Sequence, residues 1–113
     1  MIKFTILLVK RKGLSHEDYV LYHKNNHASL FTSLPEVQQY VRRYVQCYSF
    51  QVTMPGLPPP IYDGITELWF DTVEDIAKVF TAESYMSTIR PDEEKFLDLH
   101  ACSFLVSTEN VVI

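Results

Sequence analysis

Glycine and basic residues are scarce in this chain of 113 residues, and their scarcity excludes two classes of function. Only three glycines occur, so the chain has neither the glycine-rich turn of a dinucleotide-binding fold nor a phosphate-binding P-loop. The formal net charge is −4, and the longest basic run is Lys10-Arg11-Lys12. Because nucleic-acid binding needs a cationic surface, we expect no nucleic-acid partner.

Long hydrophobic runs and a cysteine framework are also missing. The longest apolar stretch near the N-terminus, 6–9, is far too short for a membrane span or for the core of a signal peptide. The sequence therefore predicts a cytoplasmic protein that does not enter the membrane. The two cysteines, Cys47 and Cys102, each lie in an apolar run, which favours buried thiols over a disulfide framework.

The order of the predicted elements indicates one α+β domain over residues 1–113, a length typical of a single domain. Alternating apolar positions predict the strands, and capping residues followed by apolar stripes predict the helices. In chain order these are strand 1–9, helix 16–33, strand 38–52, strand 62–70, helix 72–80, a short helix from Pro91 and strand 101–106. This βαββαβ order is ferredoxin-like, with a four-stranded antiparallel sheet and helices on one face.

The predicted strand 38–52 carries an unusual polar and aromatic face. Period-two alternation places five side chains on it: Tyr40, Arg42, Tyr44, Gln46 and Tyr48. Tyrosine hydroxyls need hydrogen-bond partners when they are buried, so this face suits an amphipathic cavity better than a dry core.

One face of the predicted sheet has no helix to cover it. We assign Tyr40, Tyr44, Tyr48, Ile65 and Trp69 to this face. A second copy of the chain can cover it by packing sheet against sheet. The sequence therefore predicts a homodimer.

Three segments resemble the EthD family of the dimeric α+β-barrel superfamily: Ile2–Leu8 (IKFTILL), Tyr22–Ala28 (YHKNNHA) and Tyr62–Phe70 (YDGITELWF). The resemblance spans nearly the whole chain and implies a ferredoxin-like monomer whose dimer forms a barrel from two sheets. Two positions depart from the family pattern, because Ser29 stands where proline is usual and His23 where tryptophan is common. Members of the superfamily include isomerases, dehydratases, polyketide cyclases and cofactor-free monooxygenases, so the fold does not determine the reaction.

His27 is the first candidate catalytic residue. Its imidazole can take and give a proton near neutral pH without a cofactor. His23 lies four residues earlier on the same helical face and is a candidate substrate-binding residue. Two histidines at this spacing also suit a metal ion, but no third ligand is evident, and we predict no metal site. The structural alternative is that one histidine caps the helix end, where a cation is favourable, and the other is solvated.

Tyr40 is the second candidate catalytic residue, because a tyrosine hydroxyl can stabilise an enolate. Tyr44 and Tyr48 are candidate substrate-binding residues on the same predicted face, and so is Arg42, which would bind an anionic or enol oxygen. The alternative for the tyrosines is packing in the sheet or in a dimer interface, where tyrosine is enriched. A register shift by one residue would turn Arg42 outward.

Glu67 is the third candidate catalytic residue, and Trp69, on the same face, is assigned to substrate binding. A carboxylate beside a tryptophan in a cavity can have a raised pKa and act as a proton donor or acceptor. The alternative is an ion pair with Arg42 or Arg43 on the neighbouring strand. Three further acidic residues, 92–94, are expected to form a solvated helix start.

Together these features predict an enzyme that works without a cofactor. It would act on a hydrophobic oxygenated ring or polyketide-like small molecule by moving a proton next to a carbonyl, as an isomerase, dehydratase or cyclase. The alternatives are a cofactor-free monooxygenase of the same superfamily, a dimer that binds a small ligand without catalysis, and a structural dimer that stabilises a partner enzyme.

Overall fold

The structure, a computed structural model, describes all residues from Met1 to Ile113. Four strands form one antiparallel sheet in the order β2-β3-β1-β4. The strands are β1 Ile2–Leu8, β2 Arg43–Tyr48, β3 Gly64–Phe70 and β4 Ser103–Thr108. This order is that of a ferredoxin-like fold, so the α+β class and the antiparallel four-stranded sheet predicted from the sequence are confirmed.

The helical elements pack on one face of this sheet. They are α1 His16–Tyr22, a π-helical turn His23–His27, α2 Ala28–Thr32, α3 Pro35–Tyr40, α4 Val73–Phe80, a second π-helical turn Tyr85–Ile89 and α5 Arg90–Phe96. Side-chain caps start two of them, since Ser15 Oγ accepts from the Asp18 amide and Thr72 Oγ1 accepts from the Asp75 amide. None of the helices has the length and hydrophobicity that a bilayer-spanning segment requires.

The strand register divides the side chains between the two faces differently from the prediction. Tyr44 pairs with the buried Leu68, and Tyr48 pairs with Gly64, so both tyrosines point toward the helices. Tyr40 is not in the strand at all, because Pro35 starts α3 instead of ending the preceding helix. The predicted shared face of Tyr40, Tyr44, Tyr48, Ile65 and Trp69 is therefore wrong.

The core lies between the sheet and the helices in two clusters. The larger one includes Phe31, Leu68, Phe70, Val79 and Ile89, and the smaller one contains Leu8, Tyr19, Phe96 and Leu97. Each fully buried side chain of this size contributes about 1.5–3 kcal/mol from burial alone. The smaller cluster packs α1 and α5 against the C-terminal end of β1, and its Leu8 and Leu97 line the site described below.

The opposite face of the sheet, which we call the open face, carries charged and aromatic side chains. Lys3 forms an ion pair with Glu67, and the guanidinium of Arg43 lies 4.7 Å from the ring centroid of Trp69. The indole Nε1 of Trp69 donates to a carboxylate oxygen of Glu109 at 2.5 Å. No helix covers this face, so its residues are joined to one another instead of to a second layer.

Candidate functional site

The first π-helical turn begins at His23 and ends at His27, and it brings both histidines against the sheet. Its wider winding lets the amide of Ala28 donate to the carbonyl of His23, five residues earlier. The side chain of Gln46 on β2 donates to the same carbonyl at 3.1 Å, which links the turn to the sheet. Single π-helical turns inside α-helices occur frequently at functional sites.

A cavity of about 60 Å³ lies between the helices and the sheet, beside this turn. Nine of its 13 lining residues are hydrophobic, including Leu8, Leu68 and Phe80. The other four lining residues are polar, namely His23, His27, Thr66 and Glu93, and Tyr44, counted among the nine, carries a hydroxyl. A cavity of this size accepts a group of a few heavy atoms, since an apolar cavity that binds benzene measures about 150 Å³.

His27 is held by a buried aspartate on α5. Its Nδ1 lies 2.8 Å from Oδ2 of Asp92, and both side chains are less than a tenth exposed. A carboxylate only accepts, so Nδ1 donates its proton to Asp92, and Nε2 of this cavity-lining residue has no partner within the protein. The hydroxyl of Tyr22 donates to the second carboxylate oxygen of Asp92 and fixes its orientation.

His23 lies one turn earlier and differs from His27 in its surroundings. Its ring is 2% exposed and stacks between the rings of Tyr19 and His27, at centroid distances of 5.8 Å and 5.4 Å. Nδ1 is fully buried and has no hydrogen-bond partner. Burial, and then the nearby His27, lower the pKa of His23 to about 3, so this imidazole is neutral at physiological pH.

Tyr44 supplies a hydroxyl at the wall of the cavity. Its oxygen accepts from Gln46 Nε2 at 2.9 Å, and Gln46 Oε1 accepts in turn from the hydroxyl of Tyr48 at 2.8 Å. Burial raises the pKa of Tyr44 to about 12, so the hydroxyl keeps its proton. Because the oxygen already accepts a hydrogen bond, its own proton is free to be donated to a ligand.

Glu93 adds a carboxyl group to the cavity wall. Burial raises its pKa, although the hydroxyl of Tyr85 at 2.6 Å and Nε of Arg90 at 3.0 Å both donate to its carboxylate.

The expectation that residues 92–94 form a solvated helix start is therefore wrong for Asp92 and Glu93. Asp92 is separated from His27 by 65 positions, and no local pattern in the sequence signals that they meet.

Four side chains singled out from the sequence lie away from this cavity. Tyr40 ends α3 beneath the ammonium group of Lys78, and Arg42 is an exposed partner of Asp71. Glu67 and Trp69 point to the open face. A hydrogen bond from Lys3 lowers the pKa of Glu67, so the expected raised pKa is not found. The ion-pair alternative is the arrangement present, with Lys3 as the partner instead of an arginine.

The structure brings His23, His27 and Tyr44 together at the cavity and places Tyr48 behind them. Tyr48 contacts the edge of the His23 ring at 5.7 Å and supports Gln46. No group of three or more histidine, cysteine, aspartate and glutamate side chains is arranged to hold a metal ion.

The fold and this cavity define a ferredoxin-like α+β domain with a buried histidine–aspartate pair. The model of the EthD domain family matches residues 11–100, and the chain belongs to this family. No protein with a curated description matches the chain in sequence.

Three solved structures share the fold along almost the whole chain. An ethyl tert-butyl ether D (EthD) family protein from Bacillus halodurans is 14% identical, with 97% of this chain and 99% of that chain covered and a TM-score of 0.69. An EthD-like protein from Ralstonia eutropha is 16% identical, with 99% and 94% covered and a TM-score of 0.72. A dimeric protein of unknown function and ferredoxin-like fold from Bacteroides fragilis is 13% identical, with 96% and 95% covered and a TM-score of 0.67.

Proposed function

We propose that the protein is a cofactor-independent enzyme that moves a proton next to the carbonyl group of a hydrophobic, oxygenated small molecule. The observation that carries this proposal is the buried His27–Asp92 pair, in which Nδ1 of His27 is bound by the carboxylate and the histidine lines an apolar cavity. A base of this kind needs a neutral imidazole in a fixed tautomer, and the carboxylate of Asp92 imposes that tautomer.

In the proposed reaction, Nε2 of His27 removes a proton from the carbon next to the carbonyl. The C–H bond breaks, its electron pair forms the enolate, and the proton stays on the imidazole. Asp92 stabilises the resulting imidazolium, while the hydroxyl of Tyr44 donates to the oxygen that gains charge. Return of the proton to another carbon gives an isomer. Loss of a β-hydroxyl group, which takes this proton and leaves as water, gives a dehydrated product. Attack on a second carbonyl, whose oxygen takes this proton, gives a ring.

The substrate class follows from the lining and the volume of the cavity. Its wall is mainly apolar and contains no lysine or arginine, so an uncharged ligand is favoured. A volume of about 60 Å³ admits a ketone segment of a chain more readily than a complete aromatic ring. Between the two substrate types predicted from the sequence, the polyketide-like chain is therefore the better fit.

We also propose that the protein is a homodimer that pairs through its open face. The proposal is supported by the lack of any covering helix there and by the dimeric relative from Bacteroides fragilis. Lys3 and Glu67 place a cation and an anion on this face. Two identical copies of the face can therefore bring opposite charges together. The cytoplasmic location and the absence of a cofactor stay predictions.

The test uses proton exchange, which needs no knowledge of the natural substrate. Acetone and butanone are incubated with the protein in deuterated buffer at neutral pH, and loss of the α-proton signals is followed by NMR. We expect wild type to exceed free imidazole at equal concentration, and His27→Gln to lose on the order of a hundredfold of that excess. His100→Gln is the matched control, because His100 is exposed and does not line the cavity.

Two results would reject the proposal. One is a wild-type rate equal to that of free imidazole with both ketones, and the other is full activity in His27→Gln. A small molecule that is purified with the protein and is never converted would favour the ligand-binding alternative. Consumption of oxygen with formation of a quinone would favour the monooxygenase alternative.

A further inference from the structure

Two histidines on successive helical turns pack against α5, and only one of them meets a carboxylate there. His27 meets Asp92, at 2.8 Å between Nδ1 and the carboxylate. Phe96, one turn later on α5, contacts both imidazoles, at 4.9 Å from His27 and 5.5 Å from His23 between ring centroids. Only His27 therefore has a hydrogen-bond partner on α5, although both rings pack against that helix.

This difference assigns opposite hydrogen-bonding roles to the two rings. Asp92 holds the proton of His27 on Nδ1, so Nε2 of His27 is an acceptor. Nδ1 of His23 is fully buried without a partner, and a proton placed there would be an unsatisfied buried donor. The proton of His23 therefore belongs on Nε2, the nitrogen on the other side of the ring, and His23 lines the cavity.

The charge of His23 is restricted by the same surroundings. Burial and the adjacent His27 both disfavour the imidazolium, and they lower its pKa to about 3. The contribution of His27 is the repulsion from its imidazolium, so a proton taken up by His27 during the reaction does not pass to His23. His23 thus stays a neutral donor through the whole reaction, a role that neutral imidazole fills in other enolising enzymes.

We propose that His23 is a catalytic residue that donates a hydrogen bond from Nε2 to the carbonyl oxygen of the substrate, together with the hydroxyl of Tyr44, while His27 removes the neighbouring proton. This inference rests on the proposed function. It gives the oxygen of the reacting carbonyl two hydrogen-bond donors, Nε2 of His23 and the hydroxyl of Tyr44. The ring centroids of His23 and His27 are 5.4 Å apart, which lets one small carbonyl group contact both imidazoles.

The first test measures the exchange of ketone α-protons for deuterium in two variants at neutral pH. His23→Phe keeps a planar ring among the aromatic neighbours Tyr19, Tyr48 and Phe96 but removes the donor. We expect it to fold and to lose about a hundredfold of the exchange rate, the usual effect of removing one donor to a developing oxyanion. His23→Gln keeps an N–H donor of similar reach and should recover a large part of that loss.

The second test identifies which ring nitrogen of His23 carries the proton. It uses NMR of protein whose histidines are labelled with ¹⁵N. We expect His23 to carry its proton on Nε2 between pH 5 and 8, and the resonance of this nitrogen to move when acetone is added. A purely structural role would leave that resonance unchanged, and it would make His23→Gln no better than His23→Phe.

The outcomes separate this inference from the proposed function. If wild type exchanges ketone protons, His27→Gln does not, and His23→Phe matches wild type, the proposed function stands and the role of His23 is overturned. If wild type is no faster than free imidazole, the proposed function fails. In that case the inference is overturned as well if the Nε2 resonance of His23 does not move on addition of acetone, or if His23 carries its proton on Nδ1.

Discussion

Mild acid should destabilise the protein through His23, and the size of the effect can be worked out from its burial. The pKa of His23 is about 3 in the folded protein, against about 6.5 in an unfolded chain. Between these values the unfolded chain binds a proton that the folded protein does not bind. The free energy of unfolding therefore rises with pH in this window, and it falls as the pH drops below about 6.5.

The magnitude follows from the pH interval. Each pH unit below 6.5 lowers the free energy of unfolding by about 1.4 kcal/mol, so at pH 5 the loss is about 2 kcal/mol. For a domain of this size that loss lowers the melting temperature by roughly 10 °C. Glu93 acts in the opposite direction, because burial raises its pKa and its contribution is lost as the pH rises. The comparison must therefore be made against a variant that lacks only His23.

The assay is thermal unfolding followed by circular dichroism at several pH values between 5 and 7. His23→Phe keeps Glu93 and the other histidines, so its melting temperature should change much less over this range than that of wild type. If wild type and His23→Phe lose the same number of degrees between pH 7 and pH 5, His23 is not held neutral by its burial. The assignment of His23 as a neutral donor would then lose its support.

Three other changes have defined outcomes. Asp92→Asn removes the carboxylate that fixes the tautomer of His27. It should lower the exchange rate of ketone α-protons on the order of a hundredfold and change the melting temperature little. Gly64→Ala would place a methyl group 2.6 Å from the hydroxyl of Tyr19 and should cost about 1–3 kcal/mol in a denaturant titration, so an unchanged midpoint contradicts the packing described here. Arg43→Glu inverts a charge on the open face and should shift the protein toward monomer in sedimentation at micromolar concentration. An unshifted dimer would place the interface elsewhere.

Some errors in the sequence-based interpretation have a local cause. The alternation from Tyr40 to Tyr48 predicts one continuous strand, but Pro35 supplies a favourable first residue for α3, and the helix then includes Tyr40. Alternation within a strand also determines only which residues share a face. It does not say whether that face meets the helices or the open side, and Tyr44 and Trp69 are consequently on opposite faces.

The prediction of His27 as a site residue came from its chemistry and from the family resemblance, and its role still awaits the exchange experiment. Its partner was missed because Asp92 sits in an acidic helix start, where carboxylates are favoured by the helix dipole alone. An acidic residue in that position is therefore uninformative until the helix is packed against another element. The π-helical turn His23–His27 was missed for a similar reason, since its wider winding depends on contacts such as that from Gln46.

The sequence by itself determined the order of the four strands and the fold class, because apolar periodicity, capping residues and prolines act over a few positions. The family followed from the segments that resemble EthD. Only the tertiary structure decided which carboxylate meets which imidazole. Residues 27 and 92 are 65 positions apart, and their contact depends on how α5 lies against the first helical stretch. The same packing leaves Nδ1 of His23 without a hydrogen-bond partner, so two histidines of identical covalent structure acquire different hydrogen bonding and different proposed roles. Hydrogen bonding and desolvation act through space, and for that reason the folded arrangement, more than the local sequence, sets the chemistry of this cavity.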